Sequence, residues 1–110
     1  LIGWSSWSLL RSSMHLAVDG VPEHVDEEAV EAYLRSLPGV TDFHDLHIWP
    51  LSTTMVALTV HLVKPGAAID DAFTHAIADE LQHRFNIVHA TIQLEQGNGP
   101  DCALKPTNVV

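Results

Sequence analysis

A single cysteine, Cys102, is present among 110 residues. That excludes an intramolecular disulfide and every paired-thiol zinc pattern, so a metal site in this chain has to be built mainly from imidazole and carboxylate. Basic residues are also scarce. Only 5 Lys and Arg stand against 14 Asp and Glu, giving a formal net charge of -9. A surface of that sign repels phosphate backbones and attracts cations, which argues against nucleic acid as a partner. Long apolar runs are missing too. The stretch from Leu1 to Val18 is broken by Ser5, Ser6, Ser8, Arg11, Ser12, Ser13 and His15, short of the roughly 18 uninterrupted apolar residues of a spanning helix. No basic segment precedes an apolar run in the manner of a signal peptide. There is no nucleophile-elbow sequence, Gly-rich phosphate loop or HExxH, so no reaction is assigned and an enzyme is not expected. Internal repeats and low-complexity segments are likewise absent.

What is present suits one compact domain, since 110 residues with 46% hydrophobic content fill one core and no more. Eight histidines exceed what a structural core needs, and on an acidic chain they make divalent metal the first idea to test. The chain opens on Leu1 rather than Met and is expected to be cut from something longer. Trp4 and Trp7, followed by Arg11, suit the end of a membrane helix leaving the lipid interface. An amphipathic helix covering the domain's own core is the alternative.

Beyond the helix-breaking Gly20, Val21 and Pro22, acids in the first turn and apolar Val30, Tyr33, Leu34 and Leu37 predict a helix from Asp26 to Leu37, closed by Pro38 and Gly39. From Val40 to Val63 the residues become β-branched, aromatic and alternating around Ser52, Thr53 and Thr54, the pattern of a two-stranded hairpin. Asp70 and Asp71 open a second helix with Phe73, Ile77, Leu81 and Phe85 at helical spacing, and a last strand runs from Ile87 to Glu95. The expected fold is α+β, a ferredoxin-like αββαβ domain with two helices on one face of a three-stranded mixed sheet. Residues after Glu95, rich in Gly, Pro and Asn, read as a loose tail.

Period-two alternation sorts the candidate ligands. Val56, Leu58, Val60 and Leu62, with Val88, Ala90, Ile92 and Leu94, turn to the helices, while His47, His61, His89 and Glu95 share the opposite face. Met55, Ala57 and Thr59 on that face want cover, which a second subunit can supply. His44 falls by alternation on the core side with Leu46 and Ile48, unless a bulge at the strand's entry turns it. His15, His24 and His83 read as solvated side chains. His75, Asp79 and His83 share one helix face, a stripe that chelates metal or faces water. His47 fits packing beside Trp49.

Five ordered segments carry a resemblance: HLAVDGVP at 15 to 22, LPGV at 37 to 40, HDLHIW at 44 to 49, ALTVHL at 57 to 62 and HATIQLE at 89 to 95. They resemble the cytosolic domain of bacterial cation diffusion facilitators, nearest the zinc, cadmium and cobalt efflux branch. The resemblance implies a metallochaperone-like fold and a V-shaped homodimer at the cytoplasmic face of the inner membrane. It also implies metal held between or beside the protomers, with a covalently linked membrane part that exchanges metal for protons. Residues 1–20 would then be the end of the sixth membrane helix and a linker, 21–96 the metal-binding dimerisation domain and 97–110 a flexible tail. Carried over residue by residue, the family's ligands fall on His44, His61 and Glu95, and a second ion would draw on His75. His89 is a further candidate. Where some members have another histidine this chain has Gln93, and Cys102 stands near a tail cysteine of some relatives without its usual companion. The implied ion is Zn2+, with Cd2+, Co2+ or Ni2+ as alternatives. A free-standing metallochaperone would offer paired thiols, and a metal-independent dimerisation or assembly domain is the alternative reading.

Overall fold

The computed structural model describes residues 2–18, 20–100 and 102. The described chain runs α1 (Ile2–Ala17), α2 (Glu27–Arg35), β1 (Asp42–Pro50), β2 (Val56–Val63), α3 (Asp71–Phe85) and β3 (Ile87–Glu95). The three strands form one mixed sheet in the order β1-β2-β3, with β1 antiparallel and β3 parallel to the central β2. This is the expected α+β arrangement. A parallel β2–β3 pair needs a crossover, and α3 provides it.

Each helix begins where its capping chemistry dictates. Asp26 accepts a hydrogen bond from Ala29 N–H at 3.1 Å and Asp70 one from Phe73 N–H at 3.0 Å, each satisfying an N–H that the helix leaves unpaired. Asn86, at φ 57°, ends α3 in the left-handed conformation that asparagine tolerates. The predicted helix from Asp26 to Leu37 is shorter at both ends, because Asp26 serves as cap and Ser36 already ends it.

The core lies between the two helices and one sheet face. Val30 and Leu34 of α2 and Ile77 and Leu81 of α3 are fully buried against Leu46, Ile48, Val56, Leu58, Val60 and Leu62, and Phe73 and Phe85 pack at its margin. One expectation is corrected at the start of β3. Ile87 joins the core and Val88 does not, because the register shifts between Val56 and Ala57, whose partners are Ile87 and His89. Val88 is the extra residue that this shift inserts.

Helix α1 stands apart. None of its residues is buried, and Ile2, Trp4, Trp7, Leu9 and Leu10 are exposed, so it does not cover the domain's own core. The Cα radius of gyration is 16.3 Å, against about 13 Å for a compact chain of this length. No helix among the described residues is long and apolar enough to cross a membrane. Where α1 ends, His15 Nε2 donates to Val21 O at 2.5 Å, so His15 is not the free solvated side chain expected. Gly20 gives that ring room, since a Cβ there would lie 2.6 Å from His15 Cε1 and the ring would have to move.

The segment after β3 turns back toward the sheet. Gln96 Nε2 donates to Ala67 O at 2.7 Å, and Cys102 reaches His61. The remainder of the expected tail, Asp101 and residues 103–110, lies outside the described residues.

Candidate metal centre

The centre is built on an irregularity in β1. Phe43 pairs with Leu62 and His44 with His61, but His47 pairs with Thr59. Two residues thus intervene between His44 and His47 where only one, Val60, separates their partners. This is a β-bulge, and Asp45 takes its strain at φ 52°. The consequence is chemical. In an unbroken strand His44 and His47, three apart, would face opposite sides. The bulge leaves Phe43, Leu46 and Ile48 in the core and turns both histidines to the other face. The core-side placement of His44 from simple alternation is therefore corrected, and the reason is the bulge.

Across the three strands the register places His44 opposite His61, and His61 opposite Gln93. Glu95, two residues beyond Gln93, lies between the imidazoles. His61 Nδ1 is 2.9 Å from Glu95 Oε1, His44 Nε2 is 3.3 Å from Glu95 Oε2, and the two rings meet edge to face with centroids 5.0 Å apart. Gln93 Nε2 also donates to Glu95 Oε1 at 3.0 Å and so steadies the carboxylate. Cys102 Sγ stands 3.7 Å from His61 Nδ1. One donor atom each from His44, His61, Glu95 and Cys102 lies within 4.8 Å of every other.

Burial and charge mark this cluster off from the rest of the surface. His44 is 3% exposed and is the one buried polar side chain among the described residues. Neither of its ring nitrogens makes a hydrogen bond, the approach to Glu95 having the distance but not the direction of one. An orphaned buried imidazole costs free energy that a protein does not ordinarily retain without a use for it. Partial burial works to raise the Glu95 carboxyl from its ordinary value, but the hydrogen bond from His61 and the proximity of His44 and Cys102 outweigh it, and the net shift is downward. The carboxylate is thus held in its ligating form.

A tetrahedral shell with bonds of about 2.0–2.3 Å places its donors roughly 3.3–3.8 Å apart. The donors here are already at or within about 1 Å of that spacing. Two imidazoles, a carboxylate and a thiol are the donor types a zinc-like ion takes, so the residues fit such an ion.

Of the five residues expected to ligate, the fold brings together His44, His61 and Glu95. His75 and His89 are exposed and stand outside the cluster. His89 shares the outer sheet face but lies six residues back along β3, about 20 Å from Glu95. The helical stripe faces water, and His83 Nδ1 donates to Asp79 O at 2.7 Å within α3. Cys102, left open by the sequence, joins the cluster. Asp45 was missed, although an aspartate inside an otherwise apolar and aromatic strand is disfavoured and could have signalled the bulge. His47 does not simply pack beside Trp49: its Nε2 is 2.8 Å from Asp45 Oδ1.

Residues 22–97 match the sequence model of the cation efflux protein cytoplasmic domain, and the chain belongs to that family. It is 41% identical over 91 residues to the metal cation efflux system protein CzcD of Cupriavidus metallidurans, covering 82% of this chain and 29% of that one. It is 31% identical over 99 residues to a cadmium, cobalt and zinc/H(+)-K(+) antiporter of Bacillus subtilis, covering 83% of this chain and 30% of that one. The chain thus spans less than a third of these relatives. Among solved structures, the metal-bound C-terminal domain of the CzcD transporter from Cupriavidus metallidurans aligns with TM-score 0.57 and 40% identity, covering 64% of this chain and 99% of that one.

Proposed function

We propose that this chain is the cytosolic regulatory part of a divalent-metal/proton antiporter that exports zinc-like cations. In this reading it binds Zn2+, or Cd2+, Co2+ or Ni2+, through His44, His61 and Glu95, with Cys102 as the fourth donor. The observation that carries the reading is His44: a buried imidazole with neither nitrogen hydrogen-bonded, set among three further donor residues, His61, Glu95 and Cys102. The relatives' names support the cargo, since one is a cadmium, cobalt and zinc antiporter and the aligned CzcD domain is metal-bound. The acidic surface draws cations to the site.

When bound, the ion supplies a cross-link between the three strands and the segment after β3. The chain's own residues do the rest. Gln93 donates to Glu95 and steadies its carboxylate between the imidazoles, and the bulge holds His44 on their side. Of the residues expected to want cover, Ala57 is already buried within the chain, while Met55, just before β2, is 41% exposed, and the outer sheet face beside it is the surface a second copy would cover in the homodimer. Helix α1, residues 1–20 with its linker, continues in this reading from the last membrane helix, and residues 97–110 form the tail. His75 and His89 remain candidate ligands only for ions held at other places on the surface.

Zinc titration calorimetry of the metal-free chain, beside a His61→Ala, Glu95→Ala double variant and a sedimentation test of dimerisation, decides the matter. One or more ions bound per chain, lost in the double variant, is the expected result. An intact dimer that binds no zinc would favour the metal-independent assembly domain instead.

A further inference from the structure

Asp45 lies outside the donor cluster but faces it. Its Oδ2 is 3.6 Å from His61 Nε2, and its Oδ1 is 2.8 Å from His47 Nε2. The other nitrogen of His61, Nδ1, is the one turned toward Glu95 and Cys102, at 2.9 and 3.7 Å. The two nitrogens of this ring are thus divided: one belongs to the cluster, the other to a carboxylate beyond it. A neutral imidazole that ligates through one nitrogen carries its proton on the other, and the acceptor waiting there fixes which is which.

We propose that Asp45 is a positioning residue for the metal centre: in the zinc-loaded protein it accepts a hydrogen bond from His61 Nε2–H and thereby selects Nδ1 as the ligand atom, while His47 holds the far side of its carboxylate. The inference rests on the metal-binding reading above. Backbone demand accounts for a residue that tolerates positive φ, as aspartate and asparagine both do, but the turn has no need of the charge, and glycine meets its conformation at least as well. The carboxylate is 22% exposed, and among the described residues its ion-pair partners are these two histidines. A partly buried charge placed between two imidazoles is an arrangement that orients rings.

The two accounts predict different affinities for two variants. If Asp45 serves only the backbone, Asp45→Gly and Asp45→Asn bind zinc as the parent does. If it positions His61, Asp45→Gly loses about 10-fold or more in zinc affinity. Asp45→Asn then falls between, because its amide oxygen still accepts from Nε2–H at the same place. Calorimetric titration of the full 110-residue chain with zinc measures the affinities. Long-range 1H–15N correlation of the imidazoles in the zinc-loaded protein reads the ligand atom, with His61 expected to be metal-bound at Nδ1 and protonated at Nε2. Equal affinities in all three proteins, or His61 bound through Nε2, overturns the proposal. Should Asp45→Gly fail to fold, Asp45→Asn decides alone: weaker binding with His61 still metal-bound at Nδ1 supports the assignment, and unchanged binding overturns it. A parent chain that binds no zinc overturns this inference together with the reading beneath it, whereas parent binding with unchanged variants overturns this one only.

Discussion

His44 lies directly opposite His61 across the β1–β2 ladder, ring centroids 5.0 Å apart, because one extra residue in β1 turns it out of the core. The pairing creates a stability cost along with a ligand pair. His44 is buried and neither of its nitrogens is hydrogen-bonded, Glu95 lying 3.3 Å from Nε2, and leaving a buried polar group without a hydrogen bond costs about 1–3 kcal/mol. Replacing it with an apolar residue of similar size removes that cost. His44→Leu is therefore expected to raise the melting temperature of the metal-free protein, by roughly 4–8 °C for each 1 kcal/mol recovered in a domain of this size. The same variant should lose the further rise that zinc gives the parent chain. Thermal melts with and without zinc measure both effects, and a metal-free variant less stable than the parent would show that the imidazole contributes packing that leucine cannot replace.

Glu95 sets the behaviour at low pH. Its carboxyl lies below the ordinary value of 4.5, because the His61 hydrogen bond, His44 and Cys102 outweigh the opposing effect of burial. A group whose pKa is lower folded than unfolded adds stability that is fully present above the unfolded value. That stability is lost as the pH falls from about 4.5 through the folded value. Denaturant unfolding at a series of pH values should show the parent chain losing this increment on acidification while Glu95→Gln, which has no charge to lose, does not. Parallel curves for the two proteins would mean that the contacts of Glu95 do not depend on its ionisation.

The bulge is a local device, and the register shows how it can be removed. His44 and His61 sum to 105 and His47 and Thr59 to 106, so β1 carries one residue more than a regular ladder needs. Deleting Asp45 restores a continuous antiparallel register, with Leu46 falling opposite the core-facing Val60 and His47 still opposite Thr59. The deletion variant is expected to fold with a circular dichroism spectrum and melting temperature close to the parent's, and to bind zinc about 10-fold or more weakly for want of the carboxylate. Collapse of the fold would show that the bend at Asp45, and not the side chain, is what β1 requires.

Much of this architecture was legible because it depends on short-range pattern. The stripe Val30, Leu34, Ile77 and Leu81 and the alternation of Val56, Leu58, Val60 and Leu62 are direct consequences of periods 3.6 and 2, and all eight residues are buried. His61 and Glu95 were legible for the same reason, being in phase on regular strands. His44 was not, since a bulge shifts phase by one residue and alternation then gives the wrong face; only the resemblance of the HDLHIW segment placed it. Val88 failed in the same way at the other end of the sheet. Cys102 could not be placed at all, because nothing periodic fixes a Gly- and Pro-rich segment, and its approach to His61 depends on the turn after β3.

That approach separates the candidate ions. Cys102 contributes the one soft donor to a site otherwise made of imidazole and carboxylate, and thiolate favours the softer, thiophilic metals over those content with nitrogen and oxygen. Cys102→Ser keeps the size of the side chain and removes the sulfur. It should weaken Cd2+ binding most, Zn2+ less and Co2+ or Ni2+ least, so that the order of affinities among the four ions changes and not only their magnitude. Competition titrations of parent and variant with the four ions measure the order. Thiolate-to-metal charge-transfer absorption in the near ultraviolet on adding Cd2+ to the parent, absent from the variant, would show the bond itself. Equal losses for all four ions would assign Cys102 to closing the site mechanically, and no loss for any would leave His44, His61 and Glu95 as the whole of the protein's contribution, with water in the fourth position.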